Sequence, residues 1–192
     1  TLDMGKPIAE SSTIDAPGSA HFFQWHAEAI AKLYDELAPT GPGDIAMIRR
    51  EALGVVGAVV PWNFPLIMAA WKIGPVLAAG NSLVLKPSEK VPFSAIFFAD
   101  ILYQAGLPPE MLSIITGDPA EIADELITHH QVDLVTFTGG VAIGKYIAAK
   151  AGYRRVVLEL GGNDPIIVME DADIDEASTL AVQGSYKNSG QR

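Results

Sequence analysis

The sequence has no cysteine. Within these residues that excludes a disulfide framework and a thiolate-held metal, and it fits a reducing compartment. Basic residues are scarce too: 13 Lys and Arg stand against 23 Asp and Glu, for a net charge of −10. Nucleic acid is disfavoured as a partner, because neutralising phosphates takes a clustered Lys/Arg surface. Long apolar runs are missing as well. The longest, LGVVGAVVPW and AIFFADILY, are too short to span a bilayer and are broken by Pro, Gly or Asp. The opening TLDMGKPIAE has neither the basic nor the apolar region of a signal peptide, and no initiator Met. No G-x-S-x-G elbow, P-loop, repeat or low-complexity tract occurs.

What is present is a chain of 192 residues, 49% hydrophobic and 19% charged, enough to bury a sizeable core. Residues 20–38 place Phe22, His26, Ile30, Leu33 and Leu37 three or four apart, which predicts one amphipathic helix ended by the Pro39–Pro42 breaker. Ile45 to Arg50 predicts an extended arm, and Val55 to Val60 a strand buried on both faces. Helical and β-rich stretches then alternate: LIMAAWKIGPVLAAG, SLVLK, FSAIFFADILYQAG, LSIIT, PAEIADELITH, DLVTF, VAIGKYIAAKAG, RVVLEL, DPIIVM and DIDEASTLAVQGSYKNSG. That alternation predicts an α/β fold with a Rossmann-like parallel sheet and helices on both faces.

Four stretches carry chemistry. In Pro61-Trp62-Asn63-Phe64-Pro65 two prolines fix a strand-to-helix turn around an Asn. A rigidly held amide suits an oxyanion hole, while the plain alternative is a helix cap. In SLVLKPSEK, Lys86 ends a strand and Glu89 follows three residues on. A carboxylate and a cation there can hold ribose hydroxyls, though both residue types are also ordinary surface groups. Thr138-Gly139-Gly140, with Ile143 and Gly144 beyond, forms a glycine turn from strand to helix. It can cradle a pyrophosphate or serve only close packing; its spacing is G-x-x-x-x-G, not the Rossmann fingerprint. In RVVLELGGN, Glu159 stands among apolar neighbours beside Leu160, Gly161 and Gly162. Such a carboxylate is expected to be desolvated and poised as a general base, or else paired with Arg154 or Arg155.

Other constellations carry no site. Asp171, Asp173 and Asp175 mimic a calcium loop, but Glu176 stands where the loop needs Gly, and an acid-rich helix start explains them. His21, His26, His129 and His130 fall on predicted helices or their ends without metal-ligand spacing, so no metal site is expected.

The stretch VVGAVVPWNFPLIMAAWKIGPVLAAGNSLVLKPSE resembles the aldehyde dehydrogenase superfamily, and the resemblance runs from about Leu2 to Arg192. It implies Asn63 as oxyanion donor and Glu159 as the base that activates water or the nucleophile. It implies Pro61, Trp62, Lys86, Glu89, Thr138, Gly139, Gly140, Ile143, Gly144, Leu160 and Gly161 as cofactor contacts. Gly140 takes the Ser position of the family's F-T-G-S turn. The implied cofactor is NAD, with NADP disfavoured because Glu89 would repel a 2′-phosphate. Asn188, Gly190 and Gln191 match the N-x-G-Q-x run that leads into the catalytic Cys, which would follow Arg192. The resemblance thus implies a partial chain of a longer enzyme that oxidises an aldehyde to a carboxylic acid through a thioester; the alternative is a remnant that binds NAD without catalysis.

The resemblance also divides the chain. Residues 1–34 are the helical entry to the cofactor domain, 35–52 a bridging arm for a homodimer or homotetramer, 53–161 the NAD-binding core, and 162–192 the start of the catalytic domain. The first half is similar to γ-glutamylaminobutyraldehyde dehydrogenases and the second to phosphonoacetaldehyde and semialdehyde dehydrogenases. A cytoplasmic protein acting on a small-molecule aldehyde, with no membrane or nucleic-acid partner, is the combined expectation.

Overall fold

A computed structural model describes residues 1–191. The chain enters through a short helix, α1 (Ile8–Glu10), a π-helical turn over Ser11–Asp15, and α2 (Ala16–Ile30). The helix expected over residues 20–38 therefore stops eight residues early, because tertiary pairing overrides the heptad-like spacing. Strand β1 (Glu36–Ala38) pairs antiparallel with β2 (Ala46–Ile48). Arg50 locks the junction: its guanidinium reaches Glu36 at 2.7 Å and the Tyr34 carbonyl at 3.1 Å, and its N–H donates to Asp35. Leu33 and Leu37, counted into the helix face, are exposed.

The main sheet is built from β3 (Val55–Val59), β4 (Ser82–Lys86), β5 (Leu112–Ile114), β6 (Val132–Gly139) and β7 (Arg155–Leu160) in the order β5-β4-β3-β6-β7, all parallel. Between them run α3 (Pro65–Ala78), α4 (Phe93–Gln104), α5 (Pro119–Thr128) and α6 (Val141–Lys150). The pleat of β3 divides the interior. Val56, Ala58 and Val60 pack with Ile67, Met68 and Ile73 of α3 and Ala95 and Ala99 of α4. Val55 and Val59 point the other way, to a cluster of Ile127 from α5, Val135 and Phe137 from β6, and Ile147 from α6. A strand buried on both faces must be apolar throughout, which is why its sequence shows no alternation.

Helix starts follow their local chemistry. Asp118 caps α5, accepting from the Ala120 N–H at 2.9 Å, with Pro119 as first residue. The start of α4 is capped from far away: Asp3 accepts from the N–H groups of Phe93 and Ser94. Gly106 ends that helix region with φ +101°. The last helix, α7 (Ile174–Tyr186), is capped by Asp173, which accepts from the Glu176 N–H at 3.0 Å, in line with the acid-rich helix start expected there.

The expectation of a strand over DPIIVM is not met. Residues 161–169 carry no regular structure, and Ile166, Ile167, Val168 and Met169 are all exposed. An apolar run becomes a strand only where a neighbouring strand pairs with it, and no described strand does so here.

The entry to β3 rests on one amide. Asn81 is buried, and its Oδ1 accepts from the N–H groups of Leu53 at 2.6 Å and Gly54 at 3.0 Å. Asn81→Ala leaves both donors unpaired, and urea unfolding should report a loss of about 1–3 kcal/mol.

Candidate active site

The carboxyl ends of β3, β4 and β6 open into one cavity of about 670 Å³. It lies where the sheet changes direction, since β4 and β5 were laid to one side of β3 and β6 and β7 to the other; such switch points are where α/β sheets bind ligands. Of the residues singled out in the sequence, the structure brings Pro61, Trp62, Lys86, Glu89, Thr138, Gly139, Gly140 and Ile143 to its lining. Pro119, Ala123 and Ile127 from α5 complete an apolar wall.

The two charged groups at the end of β4 behave differently. Lys86 is buried, and its Nζ donates to the Pro87 carbonyl at 3.1 Å and reaches Glu89 at 3.5 Å. The Glu89 side chain is 43% exposed, so its carboxylate keeps acceptor capacity toward the cavity. A buried ammonium with a single long ionic contact keeps donor capacity in the same way.

The glycine turn separates packing from binding. A Cβ on Gly139 would sit 2.5 Å from the Phe137 ring, and one on Gly144 2.3 Å from Leu160, whereas a Cβ on Gly140 would meet nothing within 4 Å. Gly139 and Gly144 are thus required by the chain itself. Gly140 is the N-cap of α6 and carries no side chain to satisfy the helix's first N–H groups. Beside it the Thr138 hydroxyl is buried without a hydrogen-bond partner among the described residues. Free backbone donors and a free hydroxyl at a helix start are what an anionic group needs. Leu160 packs on Gly144, and Gly161 is exposed; both lie outside the cavity lining.

Asn63 is not a cap. The N-cap of α3 is Phe64, without a side-chain bond, and the Asn63 Nδ2 donates to the Gln191 carbonyl at 3.0 Å. Asn188 closes the same knot: its Nδ2 donates to the Asn63 carbonyl at 2.9 Å and to the Gln191 carbonyl at 3.1 Å. Two motifs 125 residues apart in the chain are thus bonded to each other and share the Gln191 carbonyl as acceptor. Arg192, which the resemblance places just before the nucleophile, lies outside the described residues.

Glu159 departs from expectation. Its side chain is 46% exposed rather than desolvated, and its partner is neither Arg154 nor Arg155. Lys72 of α3, only 5% exposed, places Nζ 2.8 Å from Glu159 Oε1. Arg154 is occupied by the carbonyls of Thr128, His129 and Val132. The reason lies in the pleat: Glu159 and Val157 face the α3 side of the sheet, where Lys72 is the one cation, among the described residues, that lines the same recess. A lysine inside the otherwise apolar AAWKIGPVL was the signal that the sequence reading passed over.

Three more cavity residues were missed. Ser88 lies two residues after Lys86, and Asp124 of α5 and Tyr146 of α6 meet only in three dimensions. The Tyr146 hydroxyl donates to the Asp124 carboxylate, and Lys150 Nζ reaches the other oxygen at 3.0 Å. The bond from Tyr146, then that from Lys150, holds the Asp124 carboxyl below the usual carboxylate range; the bond to Asp124, then that to Tyr146, pushes the Lys150 ammonium up.

This chain belongs to the aldehyde dehydrogenase family, whose pattern it matches over residues 1–192. It is 47% identical over its whole length to the NADP/NAD-dependent aldehyde dehydrogenase PuuC of Escherichia coli, covering 39% of that protein. It is 44% identical, again over its whole length, to the aminoacetaldehyde dehydrogenase of Pseudomonas aeruginosa, 39% of which it covers. Among solved structures, all of the chain superposes with a TM-score of 0.95 on 40% of the P. syringae indole-3-acetaldehyde dehydrogenase AldA, at 46% identity; that protein was captured with NAD+ and IAA. The γ-glutamyl-γ-aminobutyraldehyde dehydrogenase of Burkholderia cenocepacia gives a TM-score of 0.94 at 46% identity, with all of this chain and 40% of that one covered. The chain thus spans about two fifths of the length of the relatives it matches.

Thr138→Val tests the unpaired hydroxyl. Removing a buried donor that bonds to nothing should leave the stability of the ligand-free protein unchanged or raise it by about 1 kcal/mol, read by denaturant unfolding.

Proposed function

We propose that the protein carrying this chain oxidises an aldehyde to a carboxylic acid with NAD as hydride acceptor, through a thioester on a cysteine that follows Arg192. The observation that carries the reading is the joining of two halves of one machine: a dinucleotide-sized cavity at the strand ends, and the Asn63 amide locked to the chain at Gln191.

The residues present fit the dinucleotide. Lys86 and Glu89 hold the ribose hydroxyls, one donating and one accepting. The unpaired Thr138 hydroxyl and the open first turn of α6 take the pyrophosphate. Pro119, Ala123 and Ile143 form a flat apolar wall for a heterocycle. When bound, the nicotinamide supplies the hydride acceptor of the reaction.

The nucleophile is not among these residues, which contain no cysteine; the chain's own groups serve it. The cysteine thiolate adds to the aldehyde carbon, and the carbonyl oxygen becomes an oxyanion. Asn63 Nδ2 is the donor aimed at the backbone beside that position, held in advance by the proline turn, so little reorganisation is needed as charge develops. Glu159 takes a proton from water, which then attacks the thioester and releases the carboxylic acid and the thiol. Lys72 holds that carboxylate in one orientation between turnovers.

Two observations support an NAD-preferring, oligomeric enzyme: the open Glu89 carboxylate and the separate β1–β2 ribbon suited to bridging subunits. No described helix is long and apolar enough to cross a membrane. PuuC is described as NADP/NAD-dependent, so the discrimination rests on Glu89 and its repulsion of a 2′-phosphate.

Two measurements test this. Purified full-length protein should form reduced nicotinamide from NAD only when an aldehyde is added, followed by absorbance; no turnover with any of a panel of aliphatic and aminoaldehydes would sink the reading. Glu89→Gln should narrow the preference for NAD over NADP about tenfold in titration calorimetry, since one like charge is removed.

A further inference from the structure

The turn that precedes Arg192 is in an unusual conformation. Asn188, Ser189 and Gly190 all have left-handed backbones, with φ of 54°, 56° and 72°. Each non-glycine residue held there costs about 1–2 kcal/mol, so something must hold the turn. Asn188 is buried, with 3% of its surface exposed. That N–H donates to Glu10 Oε2 at 2.9 Å, across 178 residues of sequence.

The backbone around Glu10 is fixed by its neighbours. It ends α1 and leads into the π-helical turn Ser11–Asp15, an element that recurs at functional sites and that here resets the helix phase. The two ends of this segment are tied together by Lys6, whose Nζ binds both Asp15 oxygens at 2.8 and 2.9 Å. The pair is buried, and the same ammonium lies 4.0 Å above the ring of Phe64, the residue after Asn63. One short amino-terminal segment thus grips both partners of the knot: Lys6 from beneath the Asn63 turn, Glu10 at the Asn188 turn.

We infer that Glu10 is a positioning residue whose carboxylate fixes the left-handed turn at Asn188, and through it the alignment of the Asn63 amide with the backbone at Gln191. The catalytic consequence rests on the functional reading above; the structural one does not. A salt bridge could not substitute, because the group to be satisfied is a buried N–H, and a charged acceptor is the strongest available to it. Without that acceptor the N–H is left unpaired, and the turn loses the bond that offsets its conformational cost.

The test uses full-length protein. Glu10→Ala should raise amide hydrogen exchange in residues 187–191 about tenfold or more, while Glu10→Gln, whose Oε1 still accepts, stays within about threefold of the parent. With propionaldehyde as probe, Glu10→Ala should lower kcat about tenfold with the KM for NAD unchanged, and Glu10→Gln should restore most of it. Adding Glu10→Ala to Asn63→Ala should cost nothing further, since both act through one amide. Should Glu10→Ala fail to fold, Glu10→Asp, one methylene short of the N–H, is read in its place. Unchanged exchange at 187–191, loss of NAD affinity in parallel with kcat, or Gln no better than Ala would each overturn the inference. A parent protein that oxidises no aldehyde overturns the functional reading alone, because the exchange measurement needs no substrate.

Discussion

The register of β3 is the constraint on which the rest of the molecule depends. This strand is hydrogen-bonded on both edges, to β4 and β6, and packed on both faces, so no other placement buries its side chains. A slip of one residue would send Val56 and Ala58 to the α5–α6 side and Val55 and Val59 to the α3–α4 side, into spaces shaped for the opposite set. The chain pins the start of the strand with side chains from its neighbours: Asn81 binds the Leu53 and Gly54 N–H groups, and Asp133 accepts from Val55 N–H at 2.9 Å. Gly54, at φ +125°, has no room for a side chain, since a Cβ would lie 2.2 Å from Asp133. With the start fixed, the end is fixed too, and Pro61 to Pro65 emerges over the cavity in a single orientation.

From that fixed end the polar machinery is assembled by long-range contacts. Three of its charged groups are paired with a residue from another part of the chain: Lys72 with Glu159, Lys6 with Asp15, Asp124 with Lys150. The one pair buried on both sides carries most of the specificity. Lys6 and Asp15 are almost wholly hidden, so separating them would strand a charge, and the segment between them has one way to sit. The Asp124–Lys150 pair is open to solvent and aligns α5 with α6 at the cavity wall while adding little to stability.

Much of this could be read from the residues, and the limits have a physical pattern. Local signals served well. The Pro119 and Asp118 start of α5, the Gly106 stop, the continuous apolar strands and the glycine turn each depend on a few adjacent residues, and each is where the sequence places it. Signals that depend on a distant partner misled. Leu33 and Leu37 have helical spacing but lie beside a ribbon locked by Arg50. DPIIVM has strand composition but no strand beside it. Glu159 has apolar neighbours in sequence, yet alternate residues of a strand face opposite ways, and the neighbour that matters is Lys72, 87 residues back. Sequence neighbours say what a strand is made of; they do not say what it faces.

The turn at Asn188–Gly190 shows the same limit in its sharpest form, because nothing in N-S-G demands three left-handed residues in a row. Asn and Gly tolerate that conformation, and Ser does so at a cost. What selects it is the set of acceptors around it: the Glu10 carboxylate for the backbone N–H, and the Asn63 and Gln191 carbonyls for the side-chain amide. A relaxed turn would carry the Asn188 N–H away from Glu10 and the amide away from Asn63, breaking these bonds together. The conformation is therefore cooperative: it is retained while the bonds to Glu10, Asn63 and Gln191 all hold, and each bond holds only in that conformation. Such all-or-none support is how a strained segment can be kept rigid next to the point where chemistry is to occur.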